Sequence, residues 1–598
     1  MSQFPQRRKL MKNMKKIIVP ALFASAVIAA ALLAFSCGQS GGRQDLTDSV
    51  TDHGVTTAAP DGPAVITGWF DYGTALYRRD KFTPGTADSV SIEIAKNEIE
   101  GFQYLMTSDR DVDGLRCDVT ELSDGNGNKL VGTVNVVWYT YLRNTDETHP
   151  KGFYPVAFLP MDDEYQGGSF DIAANTCRTL YVQYKTTSDT VPGTYTGKLT
   201  VSRKGETVLS GDVSLRVRDV YLEEKTECLT LIGLGYDKED MNELMPAGPE
   251  SAPPLGRQSQ GGEWDPRLLL DYANFLLENR MSGTAIPFEG ELLNEDFDAV
   301  KAYMDNPRLT CVNLNGLNWT YSQEERSDNL RRQYAVANEN GWVDKIYFGS
   351  FDEPHEEAHM QTIISNSAWV KKNFPTTNFL DAFFMDLPSD GKNIIERMSA
   401  FTTVYCPKIQ FFRDGIKESM LKLKAERGDT LFWYVCSGST YDTINRLPCT
   451  PGTDKRLLFW MQYQQNVDGF LYWRATCWNR SEDTWDENYM KEKLETMPLP
   501  RPGYSGTDEG VMIYWHPVTK QPVSTLGFEA MRDGIEDFQL LKMAEAKFGR
   551  EKALEYASQL ATDVNKYVRV SEGSTGLMMN LRTGLFDILE SEQRTEQG

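Results

Sequence analysis

The sequence predicts a multidomain protein: an N-terminal β-sandwich, then an α/β (β/α)8 barrel, then a C-terminal strand-and-helix extension. Three observations predict it. At 598 residues the chain is too long for one hydrophobic core. From about residue 65 to 222, short alternating β-rich runs follow one another without helical stretches. After Cys228, apolar runs alternate with amphipathic ones eight times over about 270 residues, the length and count of a (β/α)8 barrel.

Residues 1–36 come first. Arg7, Arg8, Lys9, Lys12, Lys15 and Lys16 form a basic flank, and 17–35 is an apolar run. A basic flank, an apolar stretch and a small residue, Ser36, before a cysteine describe an export signal. The pattern resembles a bacterial lipoprotein signal with Cys37 lipidated; an uncleaved membrane anchor is the competing reading. Residues 37–63 are mostly Gly, Ser, Thr, Asp and Ala, with almost nothing to bury, and read as a flexible tether. Removing 1–36 takes away six basic residues and no acidic one, so the net charge deepens from −23 to −29. That excludes nucleic acid as an expected partner. Nine scattered cysteines with no CxxC exclude a disulfide framework.

Residues 64–222 are the expected β-sandwich. Runs such as 89–95, 134–142, 179–185, 195–203 and 212–222 alternate in polarity, with turn signals at 124–129 and 191–195. The expected barrel, 223–500, places strands at 228–235, 283–288, 309–316, 345–351, 378–384, 401–407, 430–438 and 468–473. The extension, 501–598, has one strand at 511–515 and is otherwise helical.

The fourth barrel strand runs out into FGSFDEPHEEAHM, 348–360. Barrel chemistry sits where strands become loops, so Asp352 and Glu353 fall at the catalytic rim. Three readings compete. His355-Glu356-Glu357-Ala358-His359 spells a zinc-protease motif, but Pro354 precedes it directly and no third ligand of the common kinds follows; no metal or other cofactor is expected. Alternatively, Asp352-Glu353-Pro354 is only a helix cap. The third reading is two acids acting on a sugar. Neighbouring Cα atoms lie ~3.8 Å apart, so the two acids would approach a sugar from one side. That suits substrate-assisted hydrolysis better than the opposed pair of an ordinary retaining enzyme. Asp352 would orient and stabilise a 2-acetamido N–H, and Glu353 would serve as acid and then as base. Aromatic residues near the ends of strands seven and eight supply stacking faces: Tyr434, Trp473 and Trp478 foremost, then Trp433 and Tyr472, with Asn479 as a hydrogen-bonding partner.

Several segments together resemble glycoside hydrolase family 123 and proteins carrying the C-terminal domain of unknown function 4091. They are AKNEIEGFQ (95–103), VPGTYTGKLTV (191–201), FGSFDEP (348–354), LFWYVCSG (431–438), DGFLYWRATCWN (468–479) and LGFEAMRDGIEDFQLL (526–541). The resemblance implies a β-sandwich before a (β/α)8 barrel and retaining, substrate-assisted β-N-acetylgalactosaminidase chemistry. Asp352 maps onto the stabiliser and Glu353 onto the acid/base. Gly527 stands where the family commonly has Arg. The expectation is therefore a lipid-anchored glycoside hydrolase of a bacterial cell envelope, facing periplasm or outer membrane, with a glycan as substrate. A non-catalytic glycan-binding surface lipoprotein is the alternative. So is a hydrolase of a different sugar, for which Glu289 is a candidate nucleophile.

Overall fold

The computed structural model describes residues 62–142, 151–234, 266–314, 323–349, 352–374, 378–436, 443–476, 510–519 and 521–596. Cys37, the apolar run at 17–35, Trp478 and Asn479 lie outside them. Residues 64–498 and 504–598 form one compact unit. Among the described residues, no helix is long and apolar enough to cross a membrane.

The N-terminal part is rich in sheet. Five antiparallel strands run in the order Ile66–Tyr72, Ile99–Ser108, Arg178–Lys185, Gly132–Leu142, Gly152–Pro160. A second sheet orders Ser89–Lys96, Glu206–Tyr221, Gly193–Arg203, Val112–Val119 and Phe170–Ile172. Within it, Ser89–Lys96 pairs in parallel with Glu206–Tyr221. Alternation explains how both sheets feed one core. In Arg178–Lys185, Leu180, Val182 and Tyr184 enter it; in Glu206–Tyr221, Val213, Leu215 and Val217 do. Each such side chain, fully buried, contributes about 1.5–3 kcal/mol before entropy is charged against it.

The strands that follow are parallel. Leu229–Ile232, Gly469–Tyr472, Thr430–Tyr434, Val404–Pro407 and Ala382–Phe383 form one sheet, in that order. Val312–Asn313, Ile346–Phe348 and Asn378–Phe379 form another. The expected fifth strand is thus split at 380–381 and shared between the two sheets. Expected strand two is reduced to single parallel bridges, Ile232 with Gly283 and Ala285 with Asn313. The strands sort their side chains to two faces. Leu231, Tyr347, Val404, Cys406, Phe432 and Tyr434 share an inner cluster. Ile346, Phe348, Trp433 and Phe470 pack instead with the helices.

The tail is helical, as its composition suggests: Leu526–Phe548, Arg550–Ala557 and Ser574–Glu596, after a short pair of strands at Tyr514–Trp515 and Pro522–Val523. A second small pair, Ala561–Asp563 with Lys566–Tyr567, was not anticipated. Thr525 caps Leu526–Phe548 by accepting from the Phe528 N–H at 3.0 Å. Gly534 lets this helix approach Gly452–Gln464 closely, since a Cβ there would stand 2.7 Å from the Arg456 carbonyl oxygen.

That close approach carries a buried ionic network. Arg456 Nε donates to Asp537 Oδ2 at 2.6 Å and its Nη2 to Glu100 Oε2 at 3.0 Å. Arg582 donates to Asp537 Oδ1 at 2.8 Å and also pairs with Glu98. Arg532 reaches Asp533 at 2.6 Å, and Arg280 reaches Glu536 at 3.2 Å. Four guanidinium groups thus face more than four carboxyls, all in the interior. Burial pushes Glu98 and Asp533 up and lifts Glu536 to about 7; Asp537 is pulled down by Arg456 and Arg582 against the effect of burial. AKNEIEGFQ and RDGIEDF, two segments that carry the family resemblance, meet here.

Candidate active site

The site begins where Ile346–Phe348 ends. Tyr347 faces the inner cluster. Gly349 follows at a close approach, because a Cβ would stand 2.9 Å from the Leu380 carbonyl oxygen. Past it, Glu353 adopts a left-handed backbone with φ of 51°, and its N–H donates to the Ala382 carbonyl at 3.0 Å. A carboxylate residue in this region is uncommon, and such outliers gather at functional sites. The turn keeps the Asp352-Glu353 pair beside the fifth strand.

The helix-cap reading does not hold in the folded chain. The next helix is Glu357–Asn373, its N-cap is Glu356, and it starts three residues beyond Pro354. Neither acid is spent on a helix end. The zinc spelling does not lie on one helix, because the helix starts only at Glu357. His355 precedes the helix and packs edge-on against His359 at 4.3 Å, while His359 Nε2 lies 3.2 Å from Glu356. Among the described residues, no three His, Cys, Asp or Glu side chains are placed to hold a metal ion.

The two carboxyls differ in surroundings. Glu353 Oε1 accepts from the Tyr434 hydroxyl, with Cys436 Sγ at 3.9 Å. Burial, then the charge and hydrogen bond of Glu353, hold the Tyr434 phenol far above its ordinary range, so it remains a donor. Asp352 keeps surface open to solvent although protein surrounds much of its carboxyl. Burial first, and the neighbouring Glu353 charge second, raise it from 3.8 to about 6. The buried Cys406 thiol is pushed up by burial and by Asp352 and Asp381 together. Asp381, itself buried, thus acts on the same thiol as Asp352 does.

The comparisons with known proteins bear on this geometry. Residues 321–544 match the model of the glycoside hydrolase 123 catalytic domain. The chain is glycoside hydrolase family 123-like. A family 123 glycoside hydrolase from Clostridium perfringens, described for glycolipid glycan hydrolysis, superposes with a TM-score of 0.63 at 13% identity. The match covers 89% of this chain and 99% of that one. A family 39 glycoside hydrolase from Bacteroides cellulosilyticus scores 0.30 at 10% identity over 71% of this chain and 80% of its own. Of these two, the first has a score that shows a shared fold. No curated protein matches the sequence.

In this family 123-like chain the expected sugar-binding aromatics separate. Tyr434 lies in the inner cluster and holds Glu353. Trp433 does not belong to the site. One residue out of phase with Tyr434, it points to the helices, fully buried, with Nε1 donating to Gln462 at 3.1 Å and its ring edge-on to Phe412. Tyr472 is likewise a core residue; its hydroxyl accepts from the Gly510 N–H at 2.6 Å and its ring lies under Arg446. Trp473 is half-buried where its strand ends, and its backbone carbonyl crowds Gly233 so closely that no Cβ fits there. Glu289, the alternative nucleophile, is an exposed turn residue whose backbone carbonyl accepts from Asn294. Sequence reasoning missed Asp381 and Cys436. A split fifth strand carrying an acid at its break was the available signal for Asp381. At the departure from the family pattern, the Lys455 chain packs 3.3 Å from where a Gly527 Cβ would stand; burial lowers this lysine to about 8.

Proposed function

We propose that this chain is a retaining glycoside hydrolase that removes terminal β-linked N-acetylhexosamine, most readily N-acetylgalactosamine, by substrate assistance. The observation that carries the reading is the Asp352-Glu353 pair at a strand end, free of any helix-cap role, with one carboxyl held by Tyr434 and the other lifted to about 6. Burial first, and the neighbouring Glu353 charge second, let Asp352 hold a proton into mildly acidic solution. With the sugar absent, that proton sits on Asp352 below about pH 6. A 2-acetamido N–H donating to Asp352 would stabilise its anion and leave the proton to Glu353.

The acetamido oxygen then attacks the anomeric carbon from within the substrate, and Glu353 protonates the departing glycosidic oxygen. Water, deprotonated by Glu353, opens the resulting oxazoline with net retention. The hydroxyl of Tyr434 keeps the Glu353 carboxyl aimed during both steps.

The fold supports the same reading. The N-terminal sheets, 64–222, act as a β-sandwich because both feed one core. The two parallel sheets within 223–500 act as halves of one (β/α)8 barrel, because single bridges join them at strand two, the split fifth strand spans them, and strand eight pairs with strand one. Residues 501–598 complete the unit as its extension. Trp473, with Trp478 and Asn479, would line the sugar. Lipidation at Cys37 would place the enzyme in a bacterial cell envelope, tethered to a membrane.

Hydrolysis of an aryl β-N-acetylgalactosaminide tests the reading. Turnover is expected, with the β-anomer released first by NMR, and Glu353→Gln abolishes it for poor leaving groups. Absence of turnover on every N-acetylhexosaminide tried would refute the assignment.

A further inference from the structure

The N-terminal sheets hold an open cavity of about 760 Å3 built from residues of that region alone. Strands Val112–Val119, Gly132–Leu142 and Phe170–Ile172, with the turn at 165–169, form its walls.

One wall is aromatic. Trp138 is half-buried and Tyr165 is 40% exposed, with ring centroids 6.2 Å apart and planes inclined at 41°. The pair is held in place. Trp138 Nε1 donates to Gln166 Oε1 at 3.1 Å, and Gln166 Nε2 donates to the Ser169 carbonyl at 2.7 Å. Tyr165 packs edge-on against His516.

The other wall is polar and nearly balanced in charge: Arg79 and Arg178 against Asp111, Asp113 and Asp171. Its groups are fixed by backbone. Arg178 Nε donates to the Asp171 carbonyl at 3.1 Å. Asp111 accepts from the Ala174 N–H at 2.7 Å, and Asp171 from the Gly114 N–H at 2.8 Å. A carboxylate has about four lone-pair positions, so each keeps acceptor capacity toward a ligand.

We propose that this cavity is a second glycan-binding site, separate from the acid pair, for an uncharged pyranose oligosaccharide of about two or three residues. Inclined rings offer flat apolar faces to pyranose C–H groups. Donors and acceptors interleaved on one wall suit vicinal hydroxyls. The near cancellation of charge, on a chain of net charge −23, disfavours a phosphate, sulfate or uronate. The volume falls within the roughly 300–1,000 Å3 of sites that hold small organic ligands. Such a site would keep a branched or polymeric glycan near the acid pair at raised effective concentration. The inference goes beyond the hydrolase reading and does not require it.

The test uses the full chain carrying Asp352→Ala and Glu353→Ala, so that nothing is turned over. Chitobiose, N-acetyllactosamine and lactose are titrated by calorimetry. At least one is expected to bind, and Tyr165→Ala in that background weakens it about tenfold, the loss of one stacking face. Gln166→Ala, which releases the Trp138 ring, weakens it as well. Tyr165→Ala and Gln166→Ala keep the circular-dichroism spectrum and the cooperative thermal melt of the parent, which reports a folded protein whether or not the chain turns over a glycoside and so separates this result from a failure of the hydrolase reading. The proposal is overturned if none of the three sugars binds at about 10 mM, or if binding is the same in Tyr165→Ala and Gln166→Ala as in the parent.

Discussion

Replacing Asp352 by Asn should make the protein more stable at alkaline pH while impairing catalysis. The folded protein raises this carboxyl from 3.8 to about 6, so the native state binds its proton more tightly than the unfolded chain does. Stability therefore falls as pH rises between those two values, and above about 6 the native state carries a charge its surroundings disfavour. Each pH unit of pKa difference is about 1.4 kcal/mol, giving a ceiling of roughly 3 kcal/mol. Solvent reaches the side chain, and screening reduces that to about 1 kcal/mol. Asn has no charge to desolvate, so Asp352→Asn should gain about this much at pH 8, a rise of roughly 1 °C in melting temperature for a chain of this size. At pH 5 the native carboxyl is mostly protonated, and the gain should shrink to about half. Thermal melts of both proteins at pH 5 and pH 8 decide the matter, because the difference between them cancels all other titrating groups. A gain that is absent, or that grows on acidification, would refute the account of Asp352 as a carboxyl strained by burial and a like neighbour.

Other outcomes follow from particular contacts. Tyr434→Phe removes the donor on Glu353 and should lower kcat/KM about 10- to 100-fold, the worth of a hydrogen bond to a charged group; steady-state kinetics on an aryl N-acetylhexosaminide measure it. Trp433→Phe should destabilise by about 1–2 kcal/mol through its lost bond to Gln462 and lost volume. Its KM should stay at the wild-type value, which denaturant melts and kinetics can check side by side. Arg582→Met should cost about 3–5 kcal/mol, because Glu98 and Asp537 lose a buried partner; urea unfolding reads that loss.

Much of the scaffold could be read from the sequence because alternation and run length are local. Strands expected at 228–235, 345–351, 401–407, 430–438 and 468–473 contain the observed Leu229–Ile232, Ile346–Phe348, Val404–Pro407, Thr430–Tyr434 and Gly469–Tyr472. Position along a strand was legible; which face a side chain takes was not. Trp433 and Tyr434 are neighbours and both aromatic, yet one turns to the helices and the other to the inner cluster. The helix-cap reading would start a helix directly at Pro354; the helix begins at Glu357, after a turn in which Glu353 is left-handed. Propensity does not foretell that turn; tertiary hydrogen bonding to Ala382 accompanies it. Asp381 escaped notice since its neighbourhood depends on strands brought together from distant parts of the chain. The pairing of the RDGIEDF charges was not legible either, because their partners Arg280, Arg456 and Arg582 come from other parts of the chain.

The buried ionic network sets a limit on cutting this protein apart. Glu98 lies between strands Ser89–Lys96 and Ile99–Ser108 and Glu100 near the start of the second, and their guanidinium partners come from helices several hundred residues later. A chain truncated to start near residue 223 would present Arg456 and Arg582 with too few anions, on a face newly opened to water. Expression of the catalytic portion alone should therefore give insoluble or misfolded material, and shuffling the N-terminal region between relatives should succeed only when both acids travel with it.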